Sequence, residues 1–191
     1  MLQLLGAVLG VLRLLSARND DGRPIYSRKL RVDEIDRRIE RCHVPYHEAL
    51  TRLLDETHRT FGVVHHLNCH SMNSVAGVMG EGGVGKVRAD FVLGDRDGTT
   101  CDPAFTEFVR ATLTVMGYAV RLNEPYKGVE LVRAHSNPAR GRHSLQIEIN
   151  KRLYMDEAAR TPHAGFEALQ ARLLDLTEAI TDYIESERAR V

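Results

Sequence analysis

The chain has no charge of one sign to spare: 26 lysines and arginines are matched by 26 aspartates and glutamates. With no net field to gather a polyanion or an anionic bilayer, anion recognition has to be local, and neither nucleic acid nor membrane is an expected partner. Cysteine is scarce. Cys42, Cys69 and Cys101 are an odd set without zinc-ribbon spacing, which excludes a disulfide-stapled secreted scaffold and suits free thiols in a reducing cytoplasm. Long apolar runs are missing as well. Met1 to Leu15 is apolar but too short and too poorly flanked to span a bilayer. It lacks the basic start and the cleavage site of a signal peptide, so it reads as a buried helix or strand of the core. There is no internal repeat, and 191 residues suffice for one domain, residues 1–191, with a core of its own.

Arg18 to Pro24 is a turn-rich loop in which Asp21-Gly22 supplies positive φ. Ile35, Ile39 and Cys42 recur at helical spacing behind an N-cap at or near Asp33, and Pro45 kinks or restarts that helix before Leu50, Leu53 and Leu54 continue its apolar face. Phe61 to Leu67 reads as a buried strand. Ser71 to Val87 holds five glycines without hydrophobic periodicity and is expected to be a long mobile lid. Ala89 to Leu93 is a second strand, and Asp102-Pro103 starts a helix that stops at Gly117. Tyr118 to Leu122 is a third strand, and Val129 to His135 a short extended piece. Leu145, Ile147 and Ile149 alternate with Gln146, Glu148 and Asn150, the period of a strand with one polar face. That face is either an exposed sheet edge or the wall of a polar cleft. Phe166 to Ile180 marks a long C-terminal helix. The order predicts an α/β three-layer sandwich with a mixed, largely parallel sheet.

Chemistry concentrates where the first strand empties into Asn68, Cys69, His70 and Ser71, side chains able to hold a metal or hydrogen-bond a substrate, or merely to satisfy a tight turn. His65 and His66 are adjacent and therefore face opposite ways on a strand. Cys69 with His70 as a cysteine hydrolase is disfavoured on the same ground, and no orienting acid is evident. His47 and His58 read as structural.

Asp21-Gly-Arg-Pro-Ile-Tyr26, Pro45-Tyr-His47, Asn68-Cys-His-Ser-Met72, Leu93-Gly-Asp-Arg-Asp-Gly-Thr-Thr-Cys-Asp-Pro103, Pro138-Ala-Arg-Gly-Arg-His143, Leu145-Gln-Ile-Glu148 and Leu153-Tyr-Met-Asp-Glu157 occur in this order. In that series the chain resembles the N-formylglutamate amidohydrolase family. The resemblance implies a zinc exopeptidase-like (phosphorylase/hydrolase-like) fold and hydrolysis of N-formyl-L-glutamate, or a related N-acyl amino acid, to formate and L-glutamate late in histidine degradation. It also implies a divalent metal, zinc, with His70 as a ligand and Glu148 as a ligand or general base. Two departures accompany it. Asn68 stands where many relatives have Asp, and the family's opening Pro-His-Ser/Ala-Gly and acidic segments do not precede Asp21. The expectation is therefore an N-terminally truncated member, catalytically impaired or non-catalytic if the lost segment carried ligands.

Amide hydrolysis of this kind needs an activated water, a group to move protons and a donor for the oxyanion. His143 could supply that donor, bind metal, or be a surface residue. The two carboxylates of such a substrate call for cationic partners, and Arg96, Arg133 and Arg140, together with Arg142 and Lys127, lie on loops that could provide them.

Overall fold

A computed structural model describes residues 18, 22–78 and 80–189. The expectation of a core element at Met1 to Leu15 falls outside the described residues. Gly22 does take positive φ, +78°.

The first helical stretch runs as α1 (Val32–Arg38), a wide turn over Ile39–His43, and α2 (Val44–Phe61). Asp33 lies in the first turn, one position inside the helix, and the N-cap is Arg31, whose N–H donates to Glu34. Pro45 explains the wide turn. It has no N–H to give to a carbonyl four residues back, and the helix absorbs the misfit with a π segment in which the Val44 N–H bonds the Ile39 carbonyl. Phe61 belongs to this helix and not to a strand, because Gly62 closes α2 in the left-handed conformation at φ +76°.

The sheet consists of β1 (Val64–Met72), β2 (Phe91–Gly94), β3 (Val120–Leu122) and β4 (Arg142–Asn150), in the spatial order β1-β4-β2-β3. β1 with β4 and β2 with β3 are parallel, and β2 with β4 is antiparallel. β4 is thus a central strand, so Glu148 lies on no sheet edge. Asn68 to Ser71 lie within β1 and not beyond its end.

Phe91, Leu93, Leu145 and Ile147 project from one face onto α3 (Pro103–Val115) and α5 (Gly165–Arg188), where Phe105, Val109, Leu113, Leu169, Leu176 and Ile180 complete the main core. Asp102 caps α3 by accepting from the Ala104 N–H at 2.9 Å. The opposite face carries His66, Asn68, His70, Ser144, Gln146, Glu148 and Asn150, because side chains alternate across a strand. α2 and the short α4 (Glu130–Ala134) cover it, completing three layers.

α4 replaces the extended piece expected at Val129 to His135. Its single turn is too short to show helical periodicity, and tertiary contacts decide it: Val132 is fully buried, and the Val129 N–H is taken by Gln146 Oε1 at 2.8 Å. Nor is Ser71 to Val87 a free loop. Val75 pairs with Val87, Gly85 N–H reaches the Ala76 carbonyl, and Arg88 N–H reaches that of Ser74, which makes a hairpin stem with an exposed tip at Val78 and Val84.

Candidate functional site

His70 and Glu148 are direct partners in the β1–β4 register. His70 Nδ1 lies 3.5 Å from Glu148 Oε1, beyond a good hydrogen bond and within ion-pair reach. Glu148 is 5% exposed and Gln146 1%. Gln146 Nε2 donates to Glu148 Oε1 at 2.8 Å while its own Oε1 accepts from Val129 N–H at 2.8 Å. Its amide orientation is thereby fixed, and it steers the carboxylate. One pair further back on the same face is buried Asn68, whose Nδ2 has no hydrogen-bond partner among the described residues.

β1 and β4 run parallel, so their carboxyl ends, with Asn73 and Lys151 just beyond, meet at one end of the sheet. The antiparallel β2 brings its amino end there too, which places Arg88 beside them. Asn150 fastens this junction, donating from Nδ2 to the carbonyls of Ala89 at 2.9 Å and Arg88 at 3.3 Å. The result is a polar cavity of about 220 Å³ walled by Glu148, Arg88, Tyr126, Lys151, Asn73, Gly77, Gly80 and Glu81. A larger apolar cavity of about 350 Å³ lies against Ile149, Tyr154, Phe166 and Leu173, with Ser71 on its rim. No carboxylate, histidine or cation lines it, whereas Glu148, Glu81, Arg88 and Lys151 line the polar one.

The same antiparallel turn of the chain disperses the other expected residues. Arg96 follows β2 and so lies toward the far end, where its Nη1 donates to the Gly128 carbonyl at 2.9 Å. Arg133 is ion-paired with Glu130 on its own helix, and Lys127 with Asp97. Arg140 sits on the 3₁₀ turn Pro138–Arg140 ahead of β4, its carbonyl bonded to His58. His143 precedes Glu148 by five residues, about 16 Å along a strand, and points to the opposite face. There it stacks on His65 at 4.7 Å and accepts from Asp102 N–H at 3.2 Å. Neither His143 nor these arginines line the polar cavity that Glu148 walls. Ser71 touches the polar cavity, but its register partner is Ile149, so it alternates away from His70. Cys69 faces away from His70 for the same reason, and the three cysteines are free thiols.

His65 and His66 do take opposite faces: His65 packs on Phe105, and His66 Nδ1 lies 2.8 Å from Ser144 Oγ. Burial lowers both imidazoles, His65 to about 4. His47 ties α2 to α4 through a 3.0 Å contact between its Nδ1 and His135 Nε2, which requires both rings neutral or one shared proton. Sequence reasoning missed Arg88, Lys151 and the steering role of Gln146. Arg88 reads as one more cation beside a glycine-rich segment, and only the direction of β2 singles it out.

Two atoms bound to one tetrahedral ion at about 2.0–2.1 Å stand about 3.3 Å apart, so the His70–Glu148 separation matches two corners of such a site. Among the described residues, however, no group of three or more His, Cys, Asp or Glu could hold an ion, one donor short of a catalytic zinc site. The described residues do not by themselves complete a metal centre. No described helix is long and apolar enough to cross a membrane.

Fold and site together define an α/β domain with an acid–histidine pair at the carboxyl ends of two parallel strands. The sequence model of the N-formylglutamate amidohydrolase family matches residues 7–155. N-formylglutamate deformylase of Pseudomonas putida is 31% identical over 140 residues, 72% of this chain and 51% of that protein. The Pseudomonas aeruginosa deformylase is 29% identical over 165 residues, 84% and 60%. The crystal structure of N-formylglutamate amidohydrolase from Ralstonia eutropha JMP134 superposes with a TM-score of 0.81 at 44% identity, covering 90% of this chain and 61% of that one. A gene product of Agrobacterium tumefaciens, at 20% identity and a TM-score of 0.67, shares the fold. The chain belongs to the N-formylglutamate amidohydrolase family. It spans about half to three-fifths of the length of these curated relatives.

Proposed function

We propose that this chain carries hydrolysis of the formyl amide of N-formyl-L-glutamate, giving formate and L-glutamate, a step suited to histidine degradation in the cytoplasm. The observation that carries the proposal is the His70–Glu148 pair, held in register across two parallel strands beside a polar cavity. Glu148, steered by Gln146, takes a proton from the attacking water as the oxygen bonds to the formyl carbon. It then returns that proton to the departing amine as the C–N bond breaks. Glu148 is buried at the wall of the cavity, which shields its carboxylate from bulk water. A divalent metal, zinc, remains part of the proposal with His70 as one ligand. Bound, it would polarise the formyl oxygen.

The count of two donors among the described residues favours a second reading, a domain that binds the substrate without turning it over. Formate release from N-formylglutamate, measured with and without added zinc, separates the two. The hydrolase reading expects release that Glu148→Gln abolishes. Release unchanged in Glu148→Gln removes the base role, and binding of N-formylglutamate with no release by either protein supports the second reading.

A further inference from the structure

Arg88 is 6% exposed, and neither its Nε nor its Nη1 has a hydrogen-bond partner among the described residues. Among the described residues only Nη2 has a hydrogen-bond partner, the Glu81 carbonyl at 2.9 Å. A guanidinium does not give up its proton inside a protein, so this is a buried cation with three N–H hydrogens on those two nitrogens lacking an acceptor. Such a group is costly to leave unmatched. The contrast within the chain is informative: Arg110 and Arg133 each meet a glutamate on their own helix.

The surroundings hold Arg88 in place. Its guanidinium lies 4.7 Å from the Tyr126 ring centroid, and a Cβ on Gly80 would stand 3.0 Å from Nη2, so glycine at 80 leaves the space it occupies. Its backbone is fixed from both sides, by Ser74 and by Asn150. Arg88 and Glu148 wall the same cavity, yet the guanidinium nitrogens without partners do not bond the carboxylate. The space between them is a polar cavity of about 220 Å³ with a cation and a carboxylate in its wall.

We infer that Arg88 is the receptor for a carboxylate of the substrate, placing the acyl amide toward Glu148 and His70. This rests on reading the polar cavity as the substrate site. A planar carboxylate matches the guanidinium fork in shape and charge. A more highly charged phosphate would meet repulsion from Glu148 across so small a cavity. Lys151, the other cation of the wall, already donates to Asn73 Oδ1 at 2.7 Å and serves as a secondary partner.

The test is binding of glutarate, with its uncharged analogue glutaramide as control, by isothermal titration. Glutarate should bind and glutaramide should not. Arg88→Met should weaken glutarate about tenfold or more, as loss of a charge-assisted fork implies, and Arg88→Lys should recover part of it. Because a core substitution can disturb folding, the unsubstituted protein supplies an independent readout: the assigned Arg88 Nε–H resonance should move on glutarate addition. Glu148→Gln should bind glutarate at least as well. No glutarate binding, equal affinity in well-folded Arg88→Met, or an unmoved Arg88 resonance overturns the inference. If glutarate binding needs Arg88 while N-formylglutamate is not hydrolysed, Arg88 keeps its role and the hydrolase reading falls.

Discussion

Gly94 and Gly128 meet backbone to backbone: a Cβ on Gly94 would stand 2.7 Å from the Gly128 nitrogen and 2.8 Å from the Lys127 carbonyl carbon. Neither atom belongs to a flexible side chain, so Gly94→Ala has to push the 127–128 loop off the polar face of the sheet. That loop leads into Val129, whose N–H holds Gln146 and through it Glu148. The expected outcome is a loss of about 1–3 kcal/mol in urea unfolding, typical of overpacking, with faster amide exchange at Val129.

Gln146→Leu should separate positioning from binding. It leaves Val129 N–H and one Glu148 oxygen without their partner, a cost of about 1–3 kcal/mol for buried groups. If hydrolysis runs as proposed, kcat should fall while KM stays near its original value, because Gln146 steers the base and does not line the cavity. A rise in KM alone would contradict the positioning role.

Acid should weaken the fold through histidines that the native state keeps neutral. Burial, then repulsion from His143, pushes His65 down to about 4, and burial, then repulsion from His47, His66 and Arg142, does the same to His135. The unfolded chain takes these protons near the ordinary value of about 6.5. The stabilisation is therefore complete above that pH and is lost as pH falls toward 4. The urea midpoint should decline across this window, and His65→Leu, lodged against Phe105, should decline less steeply than the original protein.

Amide exchange should divide the 71–88 segment in two. The Ala76, Gly85 and Arg88 N–H groups are held within the stem and should be protected, while residues at the exposed tip should exchange freely. Uniformly fast exchange would restore the picture of an untethered lid.

The sequence made the sheet legible where periodicity is strong. The alternation from Leu145 to Asn150 gave β4 and its polar face, and Asp102-Pro103 gave the start of α3. It could not give strand direction. An α/β order suggests parallel neighbours, and on that footing Arg96, just after β2, belongs near the sheet end that carries His70 and Glu148. β2 runs antiparallel to β4, which sends Arg96 away and brings Arg88 in. His70 and Glu148 were readable from motif and periodicity because each lies on a strand whose partner register then joins them. His143 was misplaced for a countable reason: five residues is an odd step, so it lies on the other face from Glu148.

The register that joins His70 to Glu148 also makes the chemistry movable only in double steps. A slip of one residue along β1 would turn His66, Asn68 and His70 into the apolar layer against α3 and α5, so no graded path of small shifts connects this site to a neighbouring one. The next permitted address is the Asn68–Gln146 pair, about 6.6 Å back along the strands. Exchanging Asn68 with His70 and Gln146 with Glu148 keeps the composition and moves the acid–histidine pair to that address, where it would lie away from the cavity walled by Arg88. Such a rearranged protein should fold and hold the pair intact, with no room for a substrate beside it.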